Sequence, residues 1–298
     1  MPHLGELLAL ASPLAWAFAV ILFRRTGESV GPLALNLFKN ALVTPLFFLC
    51  YWLVGGAPLD ARLEDYLLLL ASGAIGIAIA DTLFFMCLNR VGASRQAIIN
   101  TTYSPPIIFL SMIFLGERLS IWQLIGVTLI LMAVLSVGSR DPAARRVRPP
   151  HLLAGILIGI GASITQAISI VMIRPSMSDW PLLWMTSWRM LGGLILSILI
   201  LPLVPARLRV LARLREHAVW VHMLPGVLLG SFVSLLLWMG GFKYSESASV
   251  AASLNQTSTL FIFVLAVLFL KEPVTRRGVA GLGLGIAGTL FVTLFGGS

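Results

Sequence analysis

The chain has 298 residues, of which 58% are hydrophobic and only 11% charged. A soluble domain carries about 25% charged residues, so this composition excludes a water-covered globule and points to a membrane protein. The net charge of +9 does not argue for a nucleic-acid partner, because the basic residues sit in loops between apolar runs.

Apolar runs of about 20 residues, each long enough to cross a bilayer as a helix, recur along the chain. Lipid offers the backbone no hydrogen bonds, so such runs are read as helices. A β-barrel would need alternating polarity, which is absent. The first span covers Gly5–Phe23. MPHLGELL before and at its start lacks Lys and Arg, so it reads as structure and not as a signal peptide. The second span, Pro32–Val54, holds Lys39 and Asn40 and ends at Gly55–Pro58, before an acid-rich loop. The third, Tyr66–Leu88, carries Asp81 on a face with Ala74 and Ala78. The fourth, Ser94–Leu115, opens with Asn100, Thr101, Thr102 and Tyr103 and continues through Pro105-Pro106. Ile121–Val137 is the fifth. The stretch around 139–151 is a polar, basic, proline-bearing linker. Five more spans follow at Leu152–Ile173, Leu182–Leu203, Val219–Gly241, Ala248–Leu270 and Gly278–Phe295. Cys50 and Cys87 both lie in apolar runs and read as small hydrophobes, not a disulfide.

The chain repeats itself. Val91–Glu117 moved forward by 155 positions falls on Glu246–Glu272. Ala93, Ser94, Ala97, Asn100, Thr102 and Glu117 then meet Ala248, Ser249, Ala252, Asn255, Thr257 and Glu272. Ala11-Ser12 answers Ala162-Ser163, and Phe38-Lys39 answers Trp188-Arg189. The third span matches the eighth only weakly, with Leu236 opposite Asp81. Residues 1–138 and 152–298 are therefore two five-helix repeats. Five is odd, so equivalent helices cross the membrane in opposite directions. The expected fold is an all-α integral membrane protein with ten transmembrane helices as two inverted repeats, and a substrate site near the midplane between them.

Two stretches carry a family resemblance. They are LNRVGASRQAIIN with FLGERLSIWQLIGVTLILMAVL in the first half, and FKYSESASVAASLNQ with FLKEPVTRRGVAGLGLGIAG in the second. The pattern resembles the drug/metabolite transporter superfamily, in its EamA-type ten-helix branch. The resemblance implies a transporter whose central cavity is lined by spans 1, 3, 4, 6, 8 and 9. It says little of substrate, because such families move amino acids, sugars, nucleotide precursors and drugs. The acid-rich loop between the second and third spans departs from many relatives.

Loops after odd-numbered spans carry fifteen basic residues and loops after even-numbered spans four. The positive-inside bias places the odd side in the cytoplasm and both termini outside, opposite to what the resemblance implies. The remaining two basic residues, Lys39 and Arg189, lie within spans. Each either attracts an anionic substrate group or snorkels to the interface. The segment Arg207–Arg215 reads as a surface helix against anionic lipid or as a solvated basic loop.

Candidate substrate-binding residues are Asp81, Asn100, Thr102, Tyr103, Gln166, Trp238, Asn255 and Gln256, with Lys39 and Arg189 as secondary candidates. Asn100 and Asn255 either bind substrate or hold helices together. Pro105-Pro106 removes two backbone donors and should kink or unwind the helix next to the Asn-Thr cluster. Trp16, Trp184, Trp188 and Trp238 are either cavity walls or interfacial anchors. Asp81 is costly at membrane depth. It couples transport to protons, binds a cationic group, or pairs with a neighbouring helix. Gly283–Gly288 matches GxGxxG without the strand–turn–helix context a dinucleotide site needs. It reads as helix packing, like the GxxxG pairs Gly155/Gly159, Gly226/Gly230 and Gly281/Gly285.

The leading function is a secondary transporter in the cytoplasmic membrane, with a passive channel or scaffold as the alternative. No HExxH, GxSxG or intramembrane aspartate pair argues for an enzyme. No P-loop argues for nucleotide drive. Expected partners are a small-molecule substrate and membrane lipid, with no nucleic acid, in a monomer or homodimer; no cofactor or metal is expected.

Overall fold

The computed structural model describes residues 4–56, 61–115, 120–138, 149–176, 180–204, 212, 216–244 and 257–294. Among them the chain is helical, with no strand. The first half contributes α1 (Leu4–Thr26), α2 (Pro32–Leu53), α3 (Leu63–Val91), α4 (Ala93–Asn100, a 3-10 turn at Thr101–Tyr103, then Ser104–Leu115) and α5 (Ile121–Gly138). The second contributes α6 (Pro149–Ile173), α7 (Leu182–Ile200), α8 (His217–Val227, Leu228–Val233 and Ser234–Tyr244), α9 (Ser258–Leu270) and α10 (Arg276–Leu294). Six helices, α2, α3, α4, α6, α7 and α8, meet the length and hydropathy of a membrane span. Large apolar side chains such as Leu135, Phe114 and Leu199 face outward. That suits a surface whose solvent is hydrocarbon.

The halves pair reciprocally. Helix α1 packs on α8 and α9, while α6 packs on α3 and α4; α2 pairs with α7 and α5 with α10. Small residues permit the close approaches. Gly226 and Gly230 of α8 lie against Leu22, Phe23 and Ala19 of α1, and Gly155 and Gly159 of α6 lie against Val91, Cys87 and Ile99. Gly281 and Gly288 of α10 meet Ser136 and Gly126 of α5. The GxxxG glycines thus serve contacts inside the chain. Cys50 and Cys87 are free thiols.

Two irregularities recur at matching places. Ala74–Ile79 in α3 and Leu228–Val233 in α8 are π-helical turns, 154 positions apart. Gly76 and Gly230 sit at the same step of each and face Ser169 of α6 and Ala19 of α1. Aligned on these turns, the residue opposite Asp81 is Leu235, one position before the Leu236 expected from sequence. In the first half Asn36 of α2 satisfies the turn. Its Nδ2 donates to the carbonyls of Ile77 (2.8 Å) and Ala78 (3.0 Å) and to Thr82 Oγ1 (2.9 Å).

The fourth helix breaks where expected, just ahead of its prolines. Pro105 and Pro106 have no N–H to give to Thr101 and Thr102. Ser104 N instead donates to Thr101 O, closing a 3-10 turn. The second half keeps the ordinary bond, with Phe261 N donating to Thr257 O at 3.1 Å.

Candidate functional site

Residues of both halves line a partly open cavity of about 240 Å³. Four helices of each half reach it. The resemblance implied α1, α3, α4, α6, α8 and α9; the structure adds α2 through Lys39, and α7 through Thr186, Arg189 and Met190. The reason is length: both cationic side chains turn inward and do not reach the surface. Lys39 is 3% exposed and Arg189 4%.

Of the residues expected at the site, Asp81, Asn100, Tyr103, Gln166 and Trp238 line the cavity together with Lys39 and Arg189. Thr102 does not line it. Its hydroxyl donates to Ile99 O (2.7 Å) and lies 3.0 Å from the Ser163 hydroxyl, from which it can accept, tying α4 to α6. Asn255, Gln256, Glu117, residues 139–148 of the linker and all of Arg207–Arg215 except Ala212 lie outside the described residues. Trp16 is a wall of the cavity and packs on Phe84, another wall, at 5.5 Å between ring centroids. Trp184 and Trp188 belong elsewhere. They meet Tyr66 edge-on at 5.3 and 4.6 Å in an aromatic cluster that borders the cavity through Leu235 and Trp238.

Charge is distributed unequally. Lys39 Nζ is ion-paired with Asp81 Oδ2, and Asp81 lies just past the π turn of α3, after Ala80. Each charge alone costs about 2.5–3.5 kcal/mol at the centre of a membrane helix; paired, they offset one another. Arg189 has no carboxylate within ion-pair distance among the described residues. Its Nε donates to Ser72 Oγ (3.1 Å) and its Nη2 to Ser169 Oγ (3.0 Å). Those serines are themselves held. Ser72 Oγ reaches Ser169 O at 2.8 Å, and Ser169 Oγ reaches Ser72 O at 2.8 Å. A similar clamp joins α1 to α8, where Ser12 Oγ reaches Ser234 O (3.0 Å) and Ser234 Oγ reaches Ser12 O (3.3 Å). Sequence reasoning missed both clamps and the π turns. The paired glycines Gly76 and Gly230 were the available signal for the turns; the Ser12/Ser163 repeat did not mark the clamps, because Ser163 meets Thr102 instead.

A second contact joins the halves away from the cavity. Helix α9 ends with Lys271 in the left-handed region (φ 52°), which turns the chain so that Glu272 meets the start of α4. Its Oε1 accepts from Ala93 N (2.8 Å) and its Oε2 from Ser94 N (2.9 Å). A carboxylate suits the positive end of a helix and its free N–H groups. Gly92, at φ 89°, leaves room for it.

These features define a multi-pass helical membrane protein built from a duplicated unit around a charged cavity. The EamA-like transporter family model matches residues 3–139 and again 153–294, so the chain belongs to that family. A protein of Archaeoglobus fulgidus, described as an uncharacterized transporter, is 25% identical over 97% of both chains. One solved crystal structure superposes with a TM-score of 0.66 over 98% of this chain and 97% of its own, at 16% identity; that likeness shows the fold alone.

Proposed function

We propose that this protein is a secondary transporter that moves small metabolites or amphipathic compounds across the cytoplasmic membrane by alternating access. On this reading ten helices form two inverted five-helix repeats that rock about the shared cavity. The carrying observation is that each half supplies its first four helices to a cavity with apolar walls and buried charge. The paired π turns support it, since such turns mark helices that must adjust at functional sites.

The test begins with a thermal-shift screen of the purified protein against metabolite pools. The solute found is then offered to proteoliposomes under an imposed ion gradient or with counter-solute inside. Concentrative uptake is expected; equilibration without accumulation would favour a passive channel. Reporter fusions test topology. A fusion at Ser298 should read periplasmic and fusions within 143–148 cytoplasmic. Reporters after α1 and after α6 on the same side of the membrane would end the inverted-repeat reading.

A further inference from the structure

We propose that the cavity selects solutes bearing a single carboxylate on an apolar body, and that Arg189 binds that carboxylate. The inference rests on the cavity being the substrate site.

Among the described residues three charged side chains line the cavity: Lys39, Asp81 and Arg189. Lys39 and Asp81 are matched to each other, which leaves one positive charge over. A guanidinium presents two forks of paired N–H groups. One fork, Nε with Nη2, is taken by Ser72 and Ser169. The serines hold the plane of the group in place without neutralising it, since a hydroxyl carries no charge. The other fork, Nη1 with the second hydrogen of Nη2, has no acceptor among the described residues. Arg189 also lines the cavity, so a ligand can supply one. The planar, bidentate partner that fits such a fork is a carboxylate, and one carboxylate cancels the residual charge. A phosphate dianion would overshoot it.

The rest of the lining agrees. Trp16, Phe84 and Trp238 form apolar walls for the body of the solute. Gln166 also lines the cavity, and its Oε1 is buried without a hydrogen-bond partner. Its side chain adds a polar group to the lining beside Gly76 of α3. In the second half, Arg189 stands where the first half has Lys39. The repeat has thus kept a cation at this step twice and a carboxylate partner once.

The experiment measures binding to purified, detergent-solubilised protein at constant ionic strength. The probes are butyrate, phenylacetate and indole-3-acetate, each beside its primary amide, with phenyl phosphate as the dianion. At least one acid should bind about thirtyfold or more tightly than its amide, the scale expected for one partner of a buried, hydrogen-bonded charge pair. Arg189→Gln should remove that preference and Arg189→Lys restore only part of it. Ser169→Ala, which keeps the charge and loosens its orientation, should weaken the acid and leave the amide unchanged. Equal binding of acid and amide by the wild-type protein overturns the proposal whatever the variants do. So does tighter binding of phenyl phosphate, or failure of every acid. Because no flux is measured, a positive result stands even if proteoliposomes show no accumulation, and a negative one leaves the transport reading intact.

Discussion

The two halves share a plan but solve the same problems differently. The first half buries a cation beside a carboxylate, Lys39 with Asp81. The second buries its cation on a pair of serines, with Leu235 where the carboxylate would be. The first interrupts its fourth helix at Pro105-Pro106; the second keeps Phe261 N on Thr257 O. A duplicated framework is thus free to diverge at its centre while its helix contacts stay reciprocal. The divergence concentrates where a solute would sit, which is what asymmetric substrates would demand of a symmetric container.

Making the halves alike again should break the first one most at its ion pair. Asp81→Leu, which copies the second half, leaves Lys39 buried and unmatched. A loss of about 3–5 kcal/mol is expected for breaking a buried pair, read as a large fall in melting temperature or in folded yield. Adding Lys39→Met should recover most of it; no recovery would mean that Asp81 holds the fold by other contacts. Asp81→Asn separates pairing from proton coupling. With an imposed pH gradient, unchanged pH dependence of uptake leaves Asp81 as a partner of Lys39 alone.

The next effect tests whether the glutamates are equivalent. Glu272→Ala removes two charge-assisted bonds from the start of α4, and a loss of about 2–3 kcal/mol in thermal unfolding is expected. If Glu117 does for Ala248 and Ser249 what Glu272 does for Ala93 and Ser94, Glu117→Ala should cost a similar amount. A neutral Glu117→Ala would confine the device to one half.

Replacing Pro105-Pro106 with Leu-Phe, as in the second half, restores two backbone donors. Stability should rise by about 1–2 kcal/mol at roughly one per bond, while uptake falls if the break serves movement. Unchanged uptake would make the break a static kink. The smallest effects belong to the serine clamps. Interhelical hydrogen bonds in membranes average about 0.6 kcal/mol, so Ser234→Ala should cost about that. Ser169→Ala should cost more, because it also supports Arg189. Equal losses would show that Arg189 does not depend on its serines.

Much of this was legible in the residues. The repeat and the ten apolar runs follow from spacing, whereas the inward turn of Lys39 and Arg189 does not: a cation within a span reads equally as a substrate contact or as a side chain snorkelling to the interface. Asp81, Asn100 and Gln166 stood out as polar groups with no cheap place in lipid, and the structure puts all three on the cavity. The π turns were not legible. A π turn adds a residue to a helix without changing its composition, and only the matched glycines Gly76 and Gly230 mark it. Both halves carry that added residue, so it does not shift them against each other; the partner of Asp81 is Leu235 and not Leu236 because the repeat offset is 154 at the turns and 155 at the fourth helices. Thr102 was misplaced because a threonine beside a cavity and one bonded to the next helix look alike in sequence. Trp184 and Trp188 stayed open between wall and interfacial anchor for a related reason: tryptophan has affinity for walls, interfaces and other aromatics alike.

The reach of Glu272 across to Ala93 and Ser94 bears on what the first half is by itself. The start of its fourth helix is finished by a carboxylate of the second half, and without Glu272 the N–H groups of Ala93 and Ser94 lose their acceptor. Residues 1–138 alone would therefore carry an unfinished helix end, so the two halves depend on one another for folding as well as for the cavity they share.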